Sequence, residues 1–129
     1  MDIPNKGFCV DGSTSGNPGP SEYRGLDIET GEILFEENIG DATNNIAEFL
    51  GLCHAIHYVT KNNLNTVIYS DSVTAMAWVR KMTVNTSFTG DVSERVEKAC
   101  KYLEKIHIPL ILKWKTKEWG EIPADYGRK

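Results

Sequence analysis

Cysteine is scarce in this chain, and the three residues present, Cys9, Cys53 and Cys100, are widely spaced and odd in number. That argues against a disulfide framework and against a zinc site built from cysteine alone. Each lies within an apolar pattern, as a buried free thiol would, and a reducing cytoplasm is the expected setting. Long apolar runs are also missing; none approaches the roughly 20 residues of a membrane-spanning helix. The opening Met1-Asp2-Ile3-Pro4-Asn5-Lys6 holds neither the basic nor the apolar part of a secretory signal. Positive charge is not in excess. Lys and Arg number 14 against 18 Asp and Glu, a net charge of −4, unlike a domain that grips a polyanion with its whole surface. Any nucleic-acid contact must rest on a local patch, and Arg80-Lys81, Lys113-Lys115-Lys117 and Arg128-Lys129 are the candidates. No repeat, low-complexity tract or linker divides the 129 residues. One domain over 1–129, with a single core, is expected.

What is present is a clear order of elements. Lys6 to Val10 is apolar on both faces and predicts a central strand. Ser21 to Asp27 and Ile33 to Ile39 predict two more, joined by the turn Glu29-Thr30-Gly31-Glu32. A helix is expected over 45–60, ended by Asn62-Asn63, then a short buried strand at 66–70. Ser72 opens a helix to about Lys81. Asp91, with Glu94 three residues on, opens another to about Ile106. Pro109 stops it, Leu110 to Trp114 form a last strand, and the tail from Lys115 reads as irregular. The order βββ-α-β-α-α-β predicts an α/β fold: a mixed five-stranded sheet with antiparallel hairpin strands first, parallel strands after, and helices on its faces. Ligands of such sheets bind outside the carboxyl ends of the strands.

Carboxylates stand where they cost energy. Asp11 follows the first strand and Asp71 follows "TVIYS", so parallel neighbours would bring both to one rim. Glu48 continues the inward row Leu52, Ala55 and Val59 of the first helix. Each has a plain structural explanation, as a turn residue, a cap or a partner of the helix dipole, but three such coincidences in a short chain are a pattern. A fourth candidate is Asp125 in "WGEIPADYGRK", where Pro123-Ala124 suggest a fresh helix start. Clustered carboxylates repel, and a hard divalent cation such as Mg²⁺ or Mn²⁺ relieves them. His54 and His57, three apart, lack further ligands on their face and read as packed or solvent-facing. "GSTSGNPG" lacks the Gly-Lys-Ser/Thr ending of a phosphate loop and is followed by a strand, which disfavours a nucleotide-binding reading.

These residues resemble ribonuclease H of type 1, an endoribonuclease that cleaves the RNA strand of RNA/DNA hybrids. The resemblance lies in "VDGSTSGNPGP" at 10–20, "TNNIAEFLGLCHAI" at 43–56, "IYSDS" at 68–72 and "WKTKEWGEIPADYGRK" at 114–129, in the family's order and over nearly the whole chain. It implies the ribonuclease H-like fold. It also implies that Asp11, Glu48, Asp71 and Asp125 are catalytic and hold two Mg²⁺ ions, with Mn²⁺ able to substitute, at the roughly 4 Å spacing of two-metal phosphodiester sites. The products would carry a 5′-phosphate and a 3′-hydroxyl. The hybrid would be bound by Gly12, Asn17, Thr43, Asn44 and Asn45. Gly12 would let the chain approach nucleic acid, and Thr43 would sit in a pocket for a DNA-strand phosphate. Asn44 and Asn45 would sense 2′-hydroxyls in the minor groove. A monomer without membrane or protein partners is expected.

The chain departs from the family's pattern in two places. The loop before the last aspartate, "KTKEWGEIPAD", has no histidine, and Glu118 is the residue that would take that place. "TVNTSFTG" stands where the family carries a basic protrusion, so substrate affinity is expected to be salt-sensitive. The absent histidine keeps an alternative open: a module that binds hybrid or double-stranded RNA without cleaving it.

Overall fold

Strand β1 (Phe8–Thr14) begins with Phe8, Cys9 and Val10, all buried, so it needs cover on both faces. The computed structural model gives it the middle of a five-stranded sheet ordered β3-β2-β1-β4-β5. The structure describes residues 3–86, 90 and 92–125. Strands β2 (Gly19–Asp27) and β3 (Ile33–Ala42) complete the antiparallel meander. Their turn is closed by Gly31, whose N–H donates to the Asp27 carbonyl at 2.8 Å and whose φ of 78° suits a residue without a Cβ.

Helix α1 (Asn44–Lys61) leads to β4 (Ile68–Ser70), which pairs in parallel with β1. Helices α2 (Val73–Lys81) and α3 (Val92–Leu103) precede β5 (Ile111–Lys113), parallel to β4. The element order is the one expected, with two corrections. The first strand does not end before Asp11. It runs on to Thr14 because β2 keeps pairing with it through Thr14↔Ser21, while its parallel pairing with β4 stops at Val10↔Ser70. The tail is also not irregular throughout, since a short helix α4 spans Thr116–Trp119. The Asp91 cap lies outside the described residues, as does any helix beyond Asp125.

The helices divide unequally between the faces. Ile46, Phe49, Leu52 and Ile56 of α1 are almost fully buried against Val10 and Ile68 of the sheet and Val79, Val92 and Leu103 of α2 and α3. Burial contributes about 1.5–3 kcal/mol for each large apolar side chain, so α1 is the spine of the fold. Gly51 lets it lie close: a Cβ there would stand 2.6 Å from Val10 Cγ1. On the other face Cys9, Leu26, Trp114, Ile122 and Ala124 form a second cluster, with Trp119 of α4 against it. Among the described residues no helix is long and apolar enough to cross a membrane.

Candidate active site

Local bonds fix three chain segments around the end of the β1–β4 pairing. Thr43 caps α1, its hydroxyl accepting from the Ile46 N–H at 3.2 Å. Asn17, in the exposed 15–18 turn, accepts the Asn44 N–H on its Oδ1 at 3.0 Å. The turn and the helix start are thereby one unit, and a backbone donor left over at a helix N-terminus is satisfied. After β4, Ser70 Oγ accepts the Ser72 N–H at 3.1 Å and Ser72 Oγ accepts the Ala75 N–H at 3.1 Å. Asp71 is held between these two bonds, at the junction of β4 and α2.

Within this frame a carboxylate oxygen from each of Asp11, Glu48 and Asp71 lies within 4.8 Å of the other two. Asp11 is 0% and Glu48 4% exposed, and Asp71 is half-buried. The register explains the meeting. Beyond Val10 no β4 residue pairs with β1, so Asp11 comes next to the point where the two strands part. Gly12 then lets α1 rest on the strand: a Cβ there would stand 2.7 Å from the Glu48 backbone nitrogen and 2.9 Å from the Ala47 carbonyl carbon. The close approach expected between Gly12 and nucleic acid is thus taken up by α1, and Gly12 is buried. Asn44 Nδ2 donates to Glu48 Oε1 at 3.3 Å and orients that carboxylate.

Three carboxylates at this spacing, two of them out of water, repel strongly unless a cation joins them. The donors are all hard oxygens, which fits Mg²⁺ or Mn²⁺ and not zinc. Asp125 stands outside the close group. It is half-buried in a turn where its N–H donates to the Ile122 carbonyl at 2.9 Å. Arg24, directly opposite Asp11 in the β1–β2 ladder, donates from Nε to the Ala124 carbonyl and from Nη2 to the Asp125 carbonyl, both at 2.8 Å. Sequence reasoning assigned nothing to Arg24. The signal was a cation on the strand paired with the first carboxylate, legible only once the register is known.

The remaining candidates fall in different places. Asn17 and Asn45 are exposed, and Thr43 and Asn44 are half-buried, along one edge of the carboxylates. Glu118 is exposed on α4 and is not in the close group. Trp78 packs edge-on to Phe49, and Trp114 is buried with its Nε1 donating to the Gly120 carbonyl at 2.8 Å. Trp119 sits edge-on to Trp114, with Lys115 Nζ 5.6 Å from its ring centre. Nδ1 of His54 and of His57 each meets a phenol, half-buried His54 with Tyr23 at 2.8 Å and exposed His57 with Tyr102 at 3.2 Å. The cysteines are free, and burial raises the pKa of all three, Cys9 to about 12.

Comparison with known proteins decides the lineage: the RNase H family model matches residues 5–123. The chain belongs to the RNase H family. The matched span includes Asp11, Glu48 and Asp71 and stops short of Asp125. Solved RNase H structures share the fold at low identity. RNase H1 of the halophilic archaeon Halobacterium salinarum is 22% identical over 82% of each chain, with a TM-score of 0.56. The N-terminal RNase H domain of a Mycobacterium tuberculosis protein is 23% identical over 84% of this chain and 86% of that one, with a TM-score of 0.54. LC11-RNase H1, solved in complex with an RNA/DNA hybrid, is 17% identical over 87% and 86%, with a TM-score of 0.58.

Proposed function

We propose that this member of the RNase H family is a type 1 enzyme, a metal-dependent endoribonuclease that hydrolyses the RNA strand of RNA/DNA hybrids to 5′-phosphate and 3′-hydroxyl ends. The observation that carries this reading is the meeting of Asp11, Glu48 and Asp71 within 4.8 Å on an RNase H fold. The hybrid bound by LC11-RNase H1 supports the choice of substrate. Asp11, Glu48 and Asp71 would hold the cations, with Asp125 completing the set from the C-terminal turn. When bound, two such cations, Mg²⁺ with Mn²⁺ able to substitute, acidify the attacking water and offset charge on the leaving 3′-oxygen.

The chain's own residues set the stage. The turn carrying Asn17 and the α1 start carrying Thr43, Asn44 and Asn45 offer amides and N–H groups to phosphate and 2′-hydroxyl oxygens. Asn44 links that surface to the metal-binding carboxylates through its bond to Glu48. Glu118, exposed on α4, stands in this reading where the family carries its loop histidine. In this reading the domain acts as a monomer, and its three free cysteines suit a reducing cytoplasm.

The test is cleavage of a labelled RNA/DNA hybrid with Mg²⁺, beside single-stranded RNA and duplex RNA. Cleavage of the hybrid's RNA alone is expected, with Asp71→Asn or EDTA lowering the rate by at least about a thousandfold, since the metal ligands act as a unit. The position of Asp125 outside the close group is the observation that favours the second reading, a hybrid-binding module. Hybrid binding without cleavage by the wild type would establish that reading instead.

A further inference from the structure

Asp125 lies outside the close carboxylate group and beyond the matched family span. The segment carrying it is docked on one face of the sheet. Ala124 and Ile122 are buried there with Cys9, Leu26 and Trp114. Apolar contact of this kind sets depth but not direction, because it is not directional. Direction comes from Arg24. Its side chain is 22% exposed, and two of its nitrogens donate to two successive carbonyls, those of Ala124 and Asp125. A guanidinium is a rigid planar fork, so two bonds from one fork fix orientation as well as distance. Directly opposed residues of an antiparallel pair project to the same face, so Arg24 rises beside Asp11. The ion pair of Arg24 with Glu36 spans 4.0 Å to a half-exposed carboxylate and contributes little.

We infer that Arg24 is a positioning residue: it clamps the 124–125 backbone against β1 so that Asp125 is presented to the site begun by Asp11. This rests on the proposed nuclease function. On that basis Arg24 acts through Asp125, so its loss should lower kcat and leave KM for the hybrid almost unchanged.

Two readouts separate the clamp from the reaction. The first is amide hydrogen exchange over residues 122–125 in wild type and in Arg24→Met, which needs no activity. Exchange there should rise about tenfold or more, with protection in α1 unchanged, as for local opening. The second is hybrid cleavage, where Arg24→Met should lower kcat by about ten- to a hundredfold, the scale of a small misplacement, with KM within about twofold. Arg24→Lys, which keeps the charge but not the fork, should recover less than half of the loss on a logarithmic scale. In an Asp125→Asn background Arg24→Met should cost nothing further, since residues acting through one another are not additive.

Unchanged exchange at 122–125, or raised exchange with kcat intact, would overturn the inference. So would a rise in KM at constant kcat, or full rescue by lysine. If Arg24→Met does not fold, Arg24→Lys carries the same exchange and kcat comparison. If the wild type cleaves no hybrid, the nuclease reading falls, and the exchange result still decides whether the clamp exists.

Discussion

His54 shows what one side chain can report about the molecule. Its ring lies flat on Phe35, centroids 3.9 Å apart and planes within 4°, with Nδ1 against the Tyr23 hydroxyl. Burial lowers its pKa below the ordinary 6.5; nearby Glu37 opposes the shift, while His57 and Arg95 add to it. The unfolded chain therefore binds more protons than the folded one between the lowered value and 6.5, and stability rises with pH across that window. The contribution of the neutral ring is complete above the window and is lost as pH falls through it. Urea midpoints should drop on going from about pH 7 to about pH 5, and His54→Phe should flatten that slope without removing it, since carboxylates also titrate in acid. An unaltered slope would show that His54 takes up a proton freely in the folded protein. Sequence alone left these histidines between solvent and packing. The row Glu48, Leu52, Ala55 and Val59 was plain from helical spacing, but the stacking partner of His54 comes from β3 and needs the fold.

The contact of α1 on β1 decides more of the site than any loop does. The expected role of Gly12 was nucleic-acid approach, and the structure gives that space to the backbone at Ala47 and Glu48. Gly12→Ala should force the helix outward and cost about 1–3 kcal/mol, as overpacking does, with Glu48 carried away from Asp11 and Asp71. Denaturant unfolding would measure the first effect, and Mg²⁺ titration calorimetry the second. Unchanged stability and metal affinity would mean that α1 adjusts without cost. Most elements were legible because each writes its own period into the sequence: the double-sided apolar run of β1, the 3.6-residue rows of α1, the Ser72 cap of α2. What was not legible depended on pairing. The extension of β1 to Thr14 is imposed by β2, in a stretch of small polar residues with no strand pattern of its own. Helix α4 spans four residues, too few for any periodicity to show.

At the scale of the whole molecule, a net charge of −4 would face, on the proposed function, a substrate that is itself a polyanion. Affinity for a hybrid must then come from a local surface, the Asn17 turn and α1 start on one side and the Lys113-to-Lys117 stretch on another. Ser70↔Lys113 in the β4–β5 register puts that stretch near Asp71, and Lys115 and Lys117 are exposed. The hybrid dissociation constant should weaken with salt with a logarithmic slope of about 2–3, a few phosphate contacts and no more. Lys115→Glu with Lys117→Glu should reduce that slope by about one to two. Titration by fluorescence anisotropy with Ca²⁺ in place of Mg²⁺ would measure both, and a salt-independent constant would rule out phosphate contacts as the source of affinity. Three of the four carboxylates could be placed from sequence because each sits beside a recognisable strand end or helix row. Asp125 could not, since its position is set by a partner on β2.

That partner has a consequence for how the protein is made. The bonds from Arg24 to Ala124 and Asp125 join residues 100 and 101 positions apart. Closing so long a loop adds little to the equilibrium cost, about 0.6 kcal/mol for each doubling of length, but contacts of such separation form late. Synthesis delivers Arg24 about a hundred residues before Ala124 and Asp125. Over that interval the nascent chain can carry the hairpin, α1 and three acids without the fourth. By this timing the proposed four-carboxylate site stays incomplete until the 122–125 segment has been made and has docked on the sheet.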